Sequence, residues 1–194
     1  IRAPFEPLVP GARHAPMPLH YRCAYCQNEA ACNLQCVNEV EALVEQEGAE
    51  TIAAIIMEPV QNSGGCVVPA PDYYQRIRDL CDRTGIVMIA DEVICGFGRI
   101  GHWFGLQAWG VQPDIITCAK GLTSSYSPLG AAIVKKEIAD AFLGKEEKKL
   151  LHGITFGGHP VSAAAVLANI AIMEREQLPQ CARASGAYLM GQLR

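Results

Sequence analysis

Residues 86–92 read IVMIADE and residues 114–120 read DIITCAK. Each is a short apolar run that ends abruptly in ionisable side chains, Asp91 and Glu92 in the first and Lys120 in the second. Apolar, β-branched runs of this length bounded by turn residues have the pattern of strands buried in a parallel sheet. TIAAIIM at 51–57 is similar, ends at Glu58 and reads as a strand covered on both faces; LGAAIV from Leu129 supplies a fourth strand. Between the first two strands, PDYYQRIRDLCDRTG predicts a helix with Pro71 in its first turn, a stripe of Tyr74, Ile77, Leu80 and Cys81, and a stop at Gly85. VNEVEALVEQEG puts Val37, Val40, Leu43 and Val44 on one helical stripe ahead of Gly48. Strand, helix and strand with short connections predict an α/β fold, a mostly parallel sheet covered by helices. Ligands of such sheets collect at the carboxyl ends of the strands, where Glu58, Asp91, Glu92 and Lys120 fall.

The 194 residues are 50% hydrophobic and 19% charged, with a net charge of −4, enough to bury a core and without a basic field for nucleic acid. No apolar run approaches the roughly 20 residues needed to span a bilayer as a helix. Residues 1–37 hold five of the twelve prolines and no apolar periodicity, which predicts an extended loop region. Residues 38–158 are expected to form the core domain. Residues 159–194 are expected to form a long helix from His159 and the start of a connection to a further, smaller domain, because the chain reads as an internal piece of a longer protein. Nine cysteines, several of them inside apolar stretches, fit a reducing, cytoplasmic setting. Cys23, Cys26, Cys32 and Cys36 form a C-x2-C-x5-C-x3-C cluster, but its second half lacks zinc-knuckle spacing, so no metal site is assigned.

A carboxylate directly after an apolar strand is costly to desolvate unless something meets it. Asp91 therefore needs a partner or a loop to tie. Lys120 poses the same problem with the opposite sign: a partly buried lysine loses proton affinity and becomes a usable amine nucleophile, while the plain alternative is a lysine that reaches to the surface. GFGRIG at 96–101 and KGLTSSYSPLG at 120–130 read as loops of close approach to a bound molecule, with hydroxyls at Thr123, Ser124 and Ser125. Neither is a dinucleotide or Walker motif.

EPVQ at Glu58, ADEVICGFGRIG at Ala90, PDI at Pro113, AKGLTSSYSPLGA at Ala119 and HGITFGGHP at His152 resemble, in order, the motifs of class III aminotransferases of fold type I. Within that family, the stretch containing Tyr21, Arg22 and Cys23 looks most like the ω-aminotransferase branch. The resemblance implies a transaminase dependent on pyridoxal 5'-phosphate, acting on an amine or ω-amino acid and a 2-oxo acid such as pyruvate. It implies Lys120 as the Schiff-base lysine and proton shuttle, Asp91 as the carboxylate at the pyridine nitrogen, and Val93 on the ring face. Thr155 would bind the cofactor phosphate of a neighbouring subunit in a homodimer, with the opening turn of a helix as its plain alternative. Glu58 and Gln61 would line the site.

Ser63 stands where relatives handling ornithine or γ-aminobutyrate commonly have a glutamate, and Ile94 where they have a glutamine. Both departures argue against those substrates. A related decarboxylase, aminomutase or phospho-lyase would share the same sheet, and a non-catalytic or cysteine-based metal-binding module is the reading in which Lys120 and Asp91 are structural.

Overall fold

The computed structural model describes residues 3–26, 31–144 and 146–193. Four strands form one sheet in the order β1 (Ala54–Met57), β2 (Val87–Asp91), β3 (Ile115–Cys118) and β4 (Ala131–Val134). The first three are parallel and β4 runs antiparallel to β3. Helices flank this mostly parallel sheet, and the fold is α/β. The strands are shorter than the apolar runs that announce them: Ala49–Thr51 forms a 3-10 turn ahead of β1.

Alternation along the strands decides the core. Ile55 and Met57 of β1, Met88 and Ala90 of β2, and Ile116 of β3 pack with helices α1 (Gln35–Glu47) and α2 (Tyr73–Thr84). From α1 come Val37, Val40 and Val44, and from α2 come Tyr74, Ile77, Leu80 and Cys81. The α2 stripe is the one that helical spacing predicts; in α1 Val37, Val40 and Val44 are in the core as expected, but Leu43 is only half-buried and Cys36 is buried instead. α2 begins at Tyr73, so Pro71 precedes the helix and does not occupy its first turn. Gly85, at φ 74°, ends it by donating its N–H to Cys81 O at 2.9 Å.

The other face is open among the described residues. Ile56 is 62% exposed, and Val134, which pairs with Ile115 on the same face, is 39% exposed, so the expectation that the strand at 51–57 is covered on both faces holds for one face only. An apolar run reports that both faces avoid water somewhere; it does not say which part of a protein covers them.

Asp114, just before β3, stitches the strand ends opposite the site. Its N–H donates to Met88 O at 2.8 Å, and its O accepts from Lys135 N at 3.0 Å. The carboxylate accepts from Met88 N at 2.8 Å, Arg78 Nη1 at 2.9 Å and Lys135 Nζ at 2.7 Å. One residue thereby links β2, β3, α2 and the end of β4. Burial pushes its carboxyl up, but Lys135, the Met88 N–H and Arg78 outweigh burial and hold it below the usual range. A depressed carboxyl stabilises the fold fully above the unfolded value, roughly 3.9, and this contribution is lost as pH falls through the lower folded value. Asp114→Asn in the complete protein should destabilise it by about 3 kcal/mol, because Arg78 is left without its buried partner. Chemical denaturation at neutral pH checks this, and a difference between variant and parent that stayed the same at neutral pH and below pH 4 would contradict the linkage.

α3 (Lys136–Asp140) follows β4, and α4 (Pro160–Arg175) and α5 (Leu178–Leu193) close the chain. No helix among the described residues is long and apolar enough to cross a membrane.

Candidate active site

The parallel register of β2 and β3 pairs Asp91 with Thr117. Lys120 follows three residues later, so the carboxylate and the amine stand at the carboxyl ends of adjacent strands. Asp91 alternates with Ala90, which lies in the core, and so its side chain faces the open side of the sheet. Its Oδ1 accepts from Val93 N at 3.1 Å. Asp91 has no ion-pair partner among the described residues, and neither does Lys120, which is exposed.

Glu92 takes the opposite role. It is 0% exposed, and its two carboxylate oxygens accept from Gly105 N at 2.7 Å and Leu106 N at 3.1 Å. Burial raises its carboxyl above the usual value, against the pull of those two N–H groups. Of the two acids that end β2, Glu92 ties the loop and Asp91 is left available. Alternation carries the signal for this division: Glu92 has the same parity as the buried Met88 and Ala90.

Lys120 opens the 3-10 turn Lys120–Leu122 at φ 40°. A non-glycine residue in this region costs of order 1–3 kcal/mol and persists where surrounding structure over-determines it. Ser124 and Ser125 are also left-handed, at φ 49° and 66°. The next residue, Gly121, has no room for a side chain: a Cβ there would lie 2.9 Å from Phe97 Cβ. At Gly101, a Cβ would lie 2.8 Å from Arg183 Cβ of α5, whose Nη2 donates to Gly101 O at 2.7 Å. The close approaches at Gly121 and Gly101 are therefore made to the chain itself, where a bound molecule was expected.

These loops and helices enclose a cleft of about 330 Å³ with Lys120, Ser124, Phe97, Arg99, Met173 and Leu178 on its walls. Asp91, Val93, Glu58, Gln61 and Thr155 do not line it. Val93 is half-buried directly beyond Glu92. Glu58 Oε2 accepts from Asn62 N at 3.2 Å, and its carbonyl accepts from Tyr74 OH at 2.6 Å. Gln61 exchanges backbone hydrogen bonds with Val67, both 3.1 Å. Cys95, beyond β2, accepts from Val60 N at 3.4 Å and ties the Glu58 loop to the Glu92 loop. Thr155 lies in an exposed turn, apart from the cleft, just before α4.

Sequence reasoning passed over Asn169 in α4. It is 8% exposed and touches the Lys120 turn directly, donating from Nδ2 to Gly121 O at 2.9 Å and Leu122 O at 3.1 Å. All nine cysteines are free thiols. Cys26 Sγ lies 3.9 Å from Cys32 Sγ, Cys36 is in the core, and no three His, Cys, Asp or Glu side chains among the described residues are grouped to hold a metal.

The family profile described as Aminotransferase class-III matches residues 1–194. The chain belongs to the class III aminotransferase family. An aminotransferase of Mycobacterium tuberculosis is 48% identical to this class III chain over 177 residues, 91% of the chain and 38% of the relative. The putrescine–pyruvate aminotransferase of Pseudomonas aeruginosa is 38% identical over 179 residues, 92% of the chain and 39% of the relative. Among solved structures, the (S)-enantioselective ω-transaminase of Thermomicrobium roseum superposes with a TM-score of 0.91 at 44% identity, covering 100% of this chain and 44% of that one. The chain thus spans about two fifths of the length of these relatives. Class III aminotransferases depend on pyridoxal 5'-phosphate, and the residues present suit that group. An amine and a carboxylate at neighbouring strand ends, neither of them ion-paired among the described residues, are the kinds of group that suit an aldehyde and a pyridine nitrogen.

Proposed function

We propose that the complete protein transfers an amino group from an amine or ω-amino acid to a 2-oxo acid such as pyruvate. The observation that carries this reading is the pairing, by strand register, of Asp91 with the strand that delivers Lys120, each without an ion-pair partner among the described residues. The putrescine–pyruvate relative and the ω-transaminase neighbour favour an amine donor and a 2-oxo acid acceptor. Ser63 and Ile94 weigh against ornithine and γ-aminobutyrate as donors.

When bound, pyridoxal phosphate supplies an aldehyde that captures amines and a protonated ring that accepts the electrons left by proton removal. Lys120 would hold it through Nζ. Once released, the same amine would take the proton from the substrate carbon and return it to the cofactor side, the work of a general base that is then a general acid. Asp91 would keep a proton on the ring nitrogen through its carboxylate, whose charge faces the open side of the sheet. Val93, the next residue of that parity, would line the ring face, with Glu58 and Gln61 on the neighbouring loop at the rim. The nine free thiols support a reducing compartment such as the cytoplasm.

Incubating the complete protein with a diamine and pyruvate should form alanine. Asp91→Asn should lower kcat by about a hundredfold while shifting the melting temperature by only a few degrees, because the amide carries no charge to hold the ring proton. Carbon dioxide or phosphate release without alanine would contradict the reading, as would an Asp91→Asn protein of unchanged rate.

The working unit is proposed to be a homodimer in which Thr155 reaches the cofactor phosphate of the partner subunit. Its exposed turn, outside the Lys120 cleft, supports donation across an interface, and a hydroxyl with neighbouring backbone N–H groups suits a phosphate dianion. Mixing inactive Lys120→Ala and Thr155→Ala subunits of the complete protein should restore activity, because one site of each mixed dimer carries neither lesion. Mixed dimers without recovery, or an active monomer in sedimentation, would contradict the shared site.

A further inference from the structure

α4 is built inside out. Its exposed side chains include Val161, Leu167 and Ile172, while its buried residues are Ser162, Asn169 and Met173. Two polar residues seven positions apart and a methionine four further on share one helix face, and that face is turned to the Lys120 turn. An amide buried in an apolar helix is costly unless its donors and acceptor are met, and every polar atom of Asn169 is met by the turn. Nδ2 donates to the carbonyls of Gly121 and Leu122, with Met173 Sδ at 3.7 Å, and Oδ1 accepts from Ser124 Oγ at 2.9 Å. One turn from the start of α4, Ser162 Oγ lies 2.7 Å from Ser127 Oγ, and Thr123 Oγ1 donates to Ser127 O at 2.6 Å. The helix therefore grips the segment at both ends.

That segment holds three non-glycine residues at positive φ, Lys120, Ser124 and Ser125. Left alone, each would relax toward negative φ and swing the amine of Lys120 away from its direction off β3. Packing explains only part of the restraint, since Gly121 against Phe97 limits approach and does not select a rotation. The turn closes on itself through Leu122 N to Ala119 O at 2.9 Å and the longer Thr123 N to Lys120 O at 3.3 Å, and Asn169 adds the side-chain bonds that reach it from another element, reading two successive carbonyls just after Lys120.

We infer that Asn169 is a positioning residue for Lys120: its amide locks the left-handed turn that aims Nζ, and it acts on catalysis through the lysine without touching substrate or cofactor. This rests on the proposed role of Lys120. Asn169 also gives α4 a second task. The same helix starts directly after the Thr155 turn, capped by His159 Nδ1, which accepts from Ser162 N at 3.4 Å. One rigid rod thus sets both the lysine turn and the base of the Thr155 loop.

The test uses Asn169→Asp in the complete protein, which keeps the shape and the acceptor for Ser124 Oγ but removes the Nδ2 donations to Gly121 O, Leu122 O and Met173 Sδ, and Asn169→Ser in case the aspartate prevents folding. In the cofactor-free protein, amide hydrogen exchange over residues 120–127 should accelerate by about tenfold or more while β3 and the middle of α4 stay protected. In the loaded enzyme, kcat should fall by about tenfold with KM for the amino donor within about twofold, since aim and not substrate binding is lost. Unchanged exchange in the turn would overturn the proposal, and so would a lowered melting temperature with kcat and KM intact, the signature of a structural residue only. Lys120→Ala run in parallel separates the two levels. If it retains turnover, the role of Lys120 falls and the inference with it; if it is dead while Asn169→Asp turns over normally, only the inference falls.

Discussion

The site depends on the parallel register of β2 against β3. Pairing Asp91 with Thr117 sets where one chain end stops relative to the next, and with it the distance between a carboxylate and an amine that lie far apart in sequence. Asp114 holds that register from the other end of the strands, with its backbone on β2 and β4 and its carboxylate on Arg78 and Lys135. A slip of one residue would reverse which side chains face α1 and α2, and would turn Asp91 into the core and Glu92 out of it.

Glu92 and Asn169 illustrate how a fold holds reactive groups without using them up. Glu92 absorbs the loop's N–H groups, so among the described residues the adjacent Asp91 carboxylate is drawn into structural hydrogen bonding only with Val93 N. Asn169 absorbs the carbonyls of the turn, so Lys120 is held by its backbone and its amine makes no ion pair among the described residues. In both cases a buried, hydrogen-bonded polar side chain stabilises a conformation that leaves a nearby ionisable group, the half-buried Asp91 or the exposed Lys120, available to act.

Much of this was legible in the residues. The apolar runs at 51–57, 86–90 and 115–118 and the helical stripe of α2 depend on local burial, which leaves a periodic trace. Asp91 and Lys120 stand out because ionisable residues directly after apolar strands are rarely idle. What stayed hidden depends on distant parts of the chain. The cleft beside Lys120 is walled by α5 and by the loop at 96–101, more than 70 residues apart in sequence. The glycines of that loop read as ligand-facing, yet Gly101 makes way for Arg183. Asn169 sits in a helix that is apolar nearly all round, where no stripe marks the buried side; the trace it left was the seven-residue spacing to Ser162. The open face of the sheet was hidden for a simpler reason, since an apolar strand looks the same whatever covers it.

The central claim is that the amine at the end of β3 carries the cofactor. Borohydride reduction of the complete, cofactor-loaded protein followed by peptide mapping tests it most directly. The account predicts a pyridoxyl group on Lys120 and loss of the visible absorption band. Recovery of that group on Lys135, Lys136 or any other lysine would contradict it.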